Sequence, residues 1–131
     1  MRRVLRIKNL PKIIQGGMGA GVSSWYLANT VANLGQLGVV SGTAIELIVA
    51  RRLQDGDEGG HMRRALAAFP FPEMAQKVQD AYFVEGGKAP DKAYKSIPMH
   101  NMEGPRWIRE LTIVGNFVEV WLAKEGHDYP I

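Results

Sequence analysis

The sequence predicts an α/β chain, with a strand-helix-strand unit followed by a mainly helical stretch. Three observations carry that expectation. An apolar pair, Ile13 and Ile14, leads into a turn containing Gly16, Gly17, Gly19 and Gly21 that opens onto Ser23 and Ser24, a pattern suited to a strand, a tight turn and a capped helix. Leu37 to Val40 is a continuous apolar run of strand length, as found in parallel sheets covered on both faces. Beyond Pro105, the residues Trp107, Leu111, Val114, Val118 and Trp121 recur at helical steps of three and four.

Composition sets the frame. With 131 residues and 46% hydrophobic content, the chain can build one ordinary core and has no need of several domains. It contains no cysteine, which removes disulfides, thiolate metal sites and a cysteine nucleophile, and which fits a cytoplasmic protein. Net charge is a modest +3. The basic residues Arg2, Arg3, Arg6 and Lys8 alternate with Val4, Leu5 and Ile7, so residues 1–11 read as a leading strand; no apolar core of a signal peptide follows. No apolar run reaches the ~20 residues that span a bilayer. Neither nucleic acid nor membrane is an expected partner.

Residues 12–53 form the predicted strand-helix-strand-helix unit. Lys12 to Gln15 is the first strand. A helix from Ser24 to Leu34 carries Leu27, Ala28, Val31 and Leu34 at helical spacing, with Ser23 or Ser24 as cap and Gly35 at its end. Leu37 to Val40 is the second, parallel strand. Thr43 and Glu46 have the spacing of a capping box, so a second helix runs from Ala44 to about Leu53.

Residues 54–126 are predicted to be mainly helical. The stretch from Gln54 to Gly60 is a loop that places acidic residues near the next helix start. A helix from Met62 to Phe69 is interrupted by Pro70 and Pro72, and another runs from Glu73 to Phe83. Residues 85–104 show no period and read as an exposed connection. Pro105 opens the strongest helix and Gly126 closes it. Residues 127–131 read as the start of a further strand, so the chain as a whole, 1–131, is expected to be a single partial domain.

The glycine turn fits neither common phosphate motif. GGMGAG lacks the third glycine of G-x-G-x-x-G, and Gly86-Gly87-Lys88 is followed by Ala89 rather than Ser or Thr. The remaining readings are a tight structural turn or a loop whose bare amides grip a flat ring. His61, His100 and His127 stand at no metal-ligand spacing from one another, so no metal site is assigned. The pairs Arg51, Arg52 and Arg63, Arg64 on neighbouring helices have the charge for a phosphate-binding patch, but solvated helix faces are the plainer reading. Glu119 lies among Phe117, Val118, Val120 and Trp121, where pairing with an arginine is the plain expectation and a carboxylate base the remote one.

Three stretches, IIQGGMGAGVSSWYLANTVANLGQLGVVSGTA, LQDGDEGGHMRRALAAFP and NFVEVWLAKEGHDYP, together resemble the amino-terminal portion of the nitronate monooxygenase family, the 2-nitropropane dioxygenase-like flavoproteins. The resemblance implies a TIM-type β/α barrel binding FMN at the carboxyl ends of its strands, of which this chain would supply the first two parallel strands and a helical insertion. It implies that Gly16, Gly17, Met18 and Gly19 lie against the flavin ring. The implied reaction is oxidation of alkyl nitronates by molecular oxygen to carbonyl compounds and nitrite. Partners implied are the small-molecule substrate, oxygen and the remainder of the barrel. The family's catalytic histidine belongs to the later half of the barrel, so no catalytic residue is assigned here. Two alternatives stand beside this reading: a flavin-dependent enoyl reductase of fatty-acid or polyketide synthesis, and a non-catalytic fragment.

Overall fold

The structure, a computed structural model, describes residues 10–98 and 100–131. Five α-helices make up the described chain: α1 (Trp25–Asn33), α2 (Ile45–Gln54), α3 (His61–Ala67), α4 (Pro72–Tyr82) and α5 (Arg106–Lys124), with a short 3₁₀ turn, Glu58–Gly60, leading into α3. Helix α5 is the centre. It packs against α1, α2, α3 and α4.

The core forms where the apolar faces of these helices meet. Val49 and Leu53 of α2, Met62 and Leu66 of α3, Val78 and Tyr82 of α4, and Leu111, Val114, Val118 and Leu122 of α5 are all buried. The periodicity anticipated for α5 is thus the spine of the molecule. Gly115 of α5 faces the first turn of α2, where a Cβ would meet Ile45 at a contact distance of 3.4 Å.

The α/β expectation is overturned. Among the described residues there is no strand and no sheet, so neither a TIM-type barrel fragment nor a pair of parallel barrel strands is present. The segments expected as strands meet at a single parallel bridge between Ile14 and Leu37. Leu37 N donates to Ile13 O at 3.1 Å and Gln15 N to Leu37 O at 3.0 Å.

Side chains then replace the ladder on both sides of the bridge. Gln36 Oε1 accepts from the amides of Lys12 and Ile13, and the Gln15 carboxamide bonds both N and O of Val39. With its backbone groups satisfied by glutamine amides and no third segment paired with it among the described residues, the pair is not extended into a ladder. Ile13 and Ile14 stay 63% and 64% exposed, so the apolar pair that suggested a buried strand is on the surface.

Two further strand expectations need separate statement. The leading strand over residues 1–11 falls almost wholly outside the described residues, and Leu10 and Pro11 are not in a strand. Residues 127–131 form no strand; Tyr129 N turns back to His127 Nδ1 and Lys124 Nζ holds the Tyr129 carbonyl.

The helix caps are also rearranged. Ser24 occupies the N-cap of α1 with extended backbone, yet its side chain caps nothing. Thr43 makes no capping box: α2 begins at Ile45 behind Ala44 in the left-handed region (φ 51°), and Glu46 faces His100 Nε2 at 3.5 Å. The acidic loop before α3 does what its composition suggests. Asp57 accepts from Met62 N at 2.8 Å and Arg63 N at 3.0 Å, satisfying two otherwise orphaned amides of the first turn.

Residues 85–104 are irregular, as expected, but tied down. Gln54 takes Lys88 N on its carbonyl and Lys95 N on its side chain, and the Tyr94 hydroxyl donates to Asp55. Among the described residues, no helix is long and apolar enough to cross a membrane.

Candidate functional site

The glycine turn joins the Ile14 bridge to α1 and is organised by one buried hydroxyl. Ser23 Oγ accepts from Met18 N at 2.9 Å and donates to Gly16 O at 3.2 Å, while Ser23 O accepts from Ser41 N at 2.9 Å. One buried serine therefore pins both ends of the turn and the segment after the bridge, in place of the capping role its position suggested. Val22 N closes the tip onto Gly19 O at 3.1 Å.

The glycines of this turn are not equivalent. Gly21 has φ +70° and a Cβ there would press on Ile48 at 3.3 Å, so the fold itself calls for glycine. Gly16 and Gly19 have neither a left-handed backbone nor any described atom within 4 Å of a Cβ, and at Gly17 the nearest is Val39 Cγ1 at an ordinary 3.6 Å. Alanine would be accommodated at all three. The amides of Gly17 and Gly19 have no hydrogen-bond partner among the described residues, and Met18 beside them is 46% exposed. The turn thus leaves exposed backbone whose donors, those of Gly17 and Gly19 among them, are unspent among the described residues. Gly16, Gly17, Met18 and Gly19 are brought together on one surface.

The residues after the second apolar run sit close behind. Ser41 is joined to Ser23 through the bond already described, and its hydroxyl accepts from Thr43 N at 3.3 Å. Gly42 lies against Asn116 of α5, where a Cβ would stand 3.2 Å from Oδ1.

Glu119 anchors α1 from a distance of 94 residues. Its Oε2 accepts from Trp25 N at 2.8 Å, taking the place of a local cap, and its Oε1 pairs with Arg52 of α2. The carboxyl is 1% exposed, and burial pushes its pKa above the ordinary glutamate range against the opposing pull of the Arg52 guanidinium and the Trp25 amide. The arginine partner is the one sequence reasoning anticipated in kind; that it is Arg52, and that Trp25 shares the carboxylate, has no local signal.

Other singled-out residues have structural roles. Arg63 pairs with Asp57 at 3.0 Å and Arg64 with Glu125 at 2.8 Å, so these positions are bound rather than merely solvated. His61 packs at a tilt against Trp25 with ring centres 5.0 Å apart, His100 contacts Thr112 Oγ1, and His127 contacts the Ala123 carbonyl. Among the described residues, no cluster of His, Asp or Glu could hold a metal ion.

Two concavities lie away from the turn. An open groove of about 750 Å³ runs along one face of α4 between Pro72 and Ala81. A more enclosed cleft of about 470 Å³ lies between the start of α1 and the connection from α2 to α3. Its lining includes Trp25, which the sequence did not single out, and Arg52, which it read as part of a solvated helix face. Compared with protein-family models, curated proteins and solved structures, the chain gives no match.

Proposed function

We propose that the glycine turn is a flavin contact, and that the chain contributes part of the FMN site of an oxidoreductase similar to nitronate monooxygenase, acting on alkyl nitronates with molecular oxygen. One observation carries the reading. Among the described residues, neither backbone conformation nor neighbours require glycine at Gly16, Gly17 and Gly19, so their missing Cβ atoms leave room for close approach of another molecule.

The donor set is compatible with a flavin ring. Two unspent amides can face negative charge on a reduced ring, and the Met18 thioether offers a soft apolar contact beside them. FMN would supply the redox chemistry; this chain's part is to orient Gly17 and Gly19 through Ser23 and to keep side chains out of the contact. Among the described residues, no cationic side chain is hydrogen-bonded to the turn.

Titration of FMN against the purified chain, read by flavin fluorescence, tests the contact. Saturable quenching that is abolished in Gly19→Leu, with thermal stability unchanged, is the expected result. Equal quenching by the variant, or none by either protein, overturns the assignment. Release of nitrite from propyl-2-nitronate with oxygen uptake distinguishes the oxygenase from an enoyl reductase, which would instead consume NADPH with an enoyl thioester.

A further inference from the structure

We propose that the cleft between α1 and the α2 to α3 connection binds a free α-amino acid with an aromatic or bulky apolar side chain, its carboxylate on Arg52, its ammonium on Glu58 and its side chain against Trp25. This is independent of the flavin contact.

The cleft is partly enclosed and, at about 470 Å³, within the range of roughly 300 to 1,000 Å³ typical of small-molecule sites. One wall is aromatic. Trp25 meets His61 at 5.0 Å between ring centres and Tyr26 edge-on at 5.7 Å, so a flat or apolar body has a rigid surface to lie on.

Charges of both signs line the same space. Arg52 spends Nη1 on Glu119, keeps its side chain 32% exposed, and among the described residues has no partner for Nε or Nη2. Two parallel donors on a planar group, held in place by a buried carboxylate behind it, are suited to a carboxylate in front.

The acids of the cleft divide by availability. Asp57 is committed to the amides of Met62 and Arg63 and to the Arg63 guanidinium, and Asp55 accepts the Tyr94 hydroxyl. Glu58 has no ion pair or hydrogen bond among the described residues, and its carboxylate is left for a cation.

A simple anion would meet Asp55 and Glu58, and a simple amine would meet Arg52. A ligand carrying both charges on one carbon, with an apolar tail for Trp25, satisfies all three features.

Nuclear magnetic resonance of the labelled full chain, following the Trp25 indole N–H identified with Trp25→Phe, tests this with three probes. L-Phenylalanine should shift the signal saturably, whereas phenethylamine and 3-phenylpropanoate, each missing one charge, should bind roughly tenfold more weakly, the loss of one charge-assisted hydrogen bond. Glu58→Gln, at an exposed position, should weaken L-phenylalanine by about the same factor and not weaken 3-phenylpropanoate, which loses a like charge beside it. Binding of either analogue as tight as that of L-phenylalanine, no saturable shift at Trp25, or shifts confined to the groove along α4 would overturn the proposal.

Discussion

Replacing Glu119 with alanine removes the group that joins α5, α1 and α2. The N-cap acceptor of Trp25 is worth about 1 kcal/mol. The bond to the charged Arg52 adds about 1.5 kcal/mol, the lower end of its class, because Arg52 is one-third exposed and can turn to water. Lost methylene packing on a fully buried face adds about 0.8 kcal/mol. Relief from burying a carboxylate, together with alanine's better helix propensity, returns about 1 kcal/mol.

The net cost is about 2 to 3 kcal/mol. Urea unfolding followed by tryptophan fluorescence should show the midpoint falling at unchanged slope. Glu119→Gln keeps an acceptor for Trp25 and should lose about half as much. Pairing Glu119→Leu with Arg52→Met removes both charges and should restore most of the stability. A cost below about 0.5 kcal/mol for Glu119→Ala, the size of an ordinary surface change, would refute the claim that α1 is capped from α5.

The same carboxyl gives a pH signature. Its folded pKa is raised by burial, so the folded chain binds a proton at pH values where the unfolded chain has released it, and this group's contribution to stability declines as pH rises from the ordinary glutamate range through the raised value. The stability of the wild type minus that of Glu119→Gln, measured across that window, should therefore fall with rising pH.

Gly38→Ala should be severely destabilising, by about 3 kcal/mol or more, because its Cβ would lie 2.1 Å from the Ala28 carbonyl oxygen; a thermal melt checks it. Gly16→Ala and Gly19→Ala should be neutral or stabilise by about 0.4 to 1 kcal/mol through the unfolded state, and a loss of stability would show that the turn needs glycine for itself. Asp57→Ala strips the cap of α3 and should cost about 2 kcal/mol, seen as early hydrogen exchange in residues 61–67.

Helices declare themselves locally, and this chain's did. The three- and four-residue rhythm from Trp107 to Trp121 marks α5, the prolines at 72 and 105 mark the starts of α4 and α5, and the acids of residues 54–60 anticipate the cap that Asp57 provides. Each rests on contacts within one or two turns of the chain, so amino-acid order alone was sufficient. The glycine turn was legible for the same reason, since a cluster of residues without Cβ atoms is visible in one dimension.

What the order of residues left open was everything that depends on a distant partner. Ile13-Ile14 and Leu37 to Val40 have strand composition, but a strand exists only if a neighbour takes its backbone groups, and Gln15 and Gln36 took them instead. Ser24 and Thr43 have capping chemistry, but Glu119 reached Trp25 first and Ala44 turned left-handed ahead of α2. Which glycines serve the fold and which stand idle is likewise a question of what lies within a few ångströms, answered only once α1, α2 and the bridge were packed together. Periodicity and composition settled which segments would be helices; the pairing of polar groups across the assembled core decided that the described residues would form no sheet.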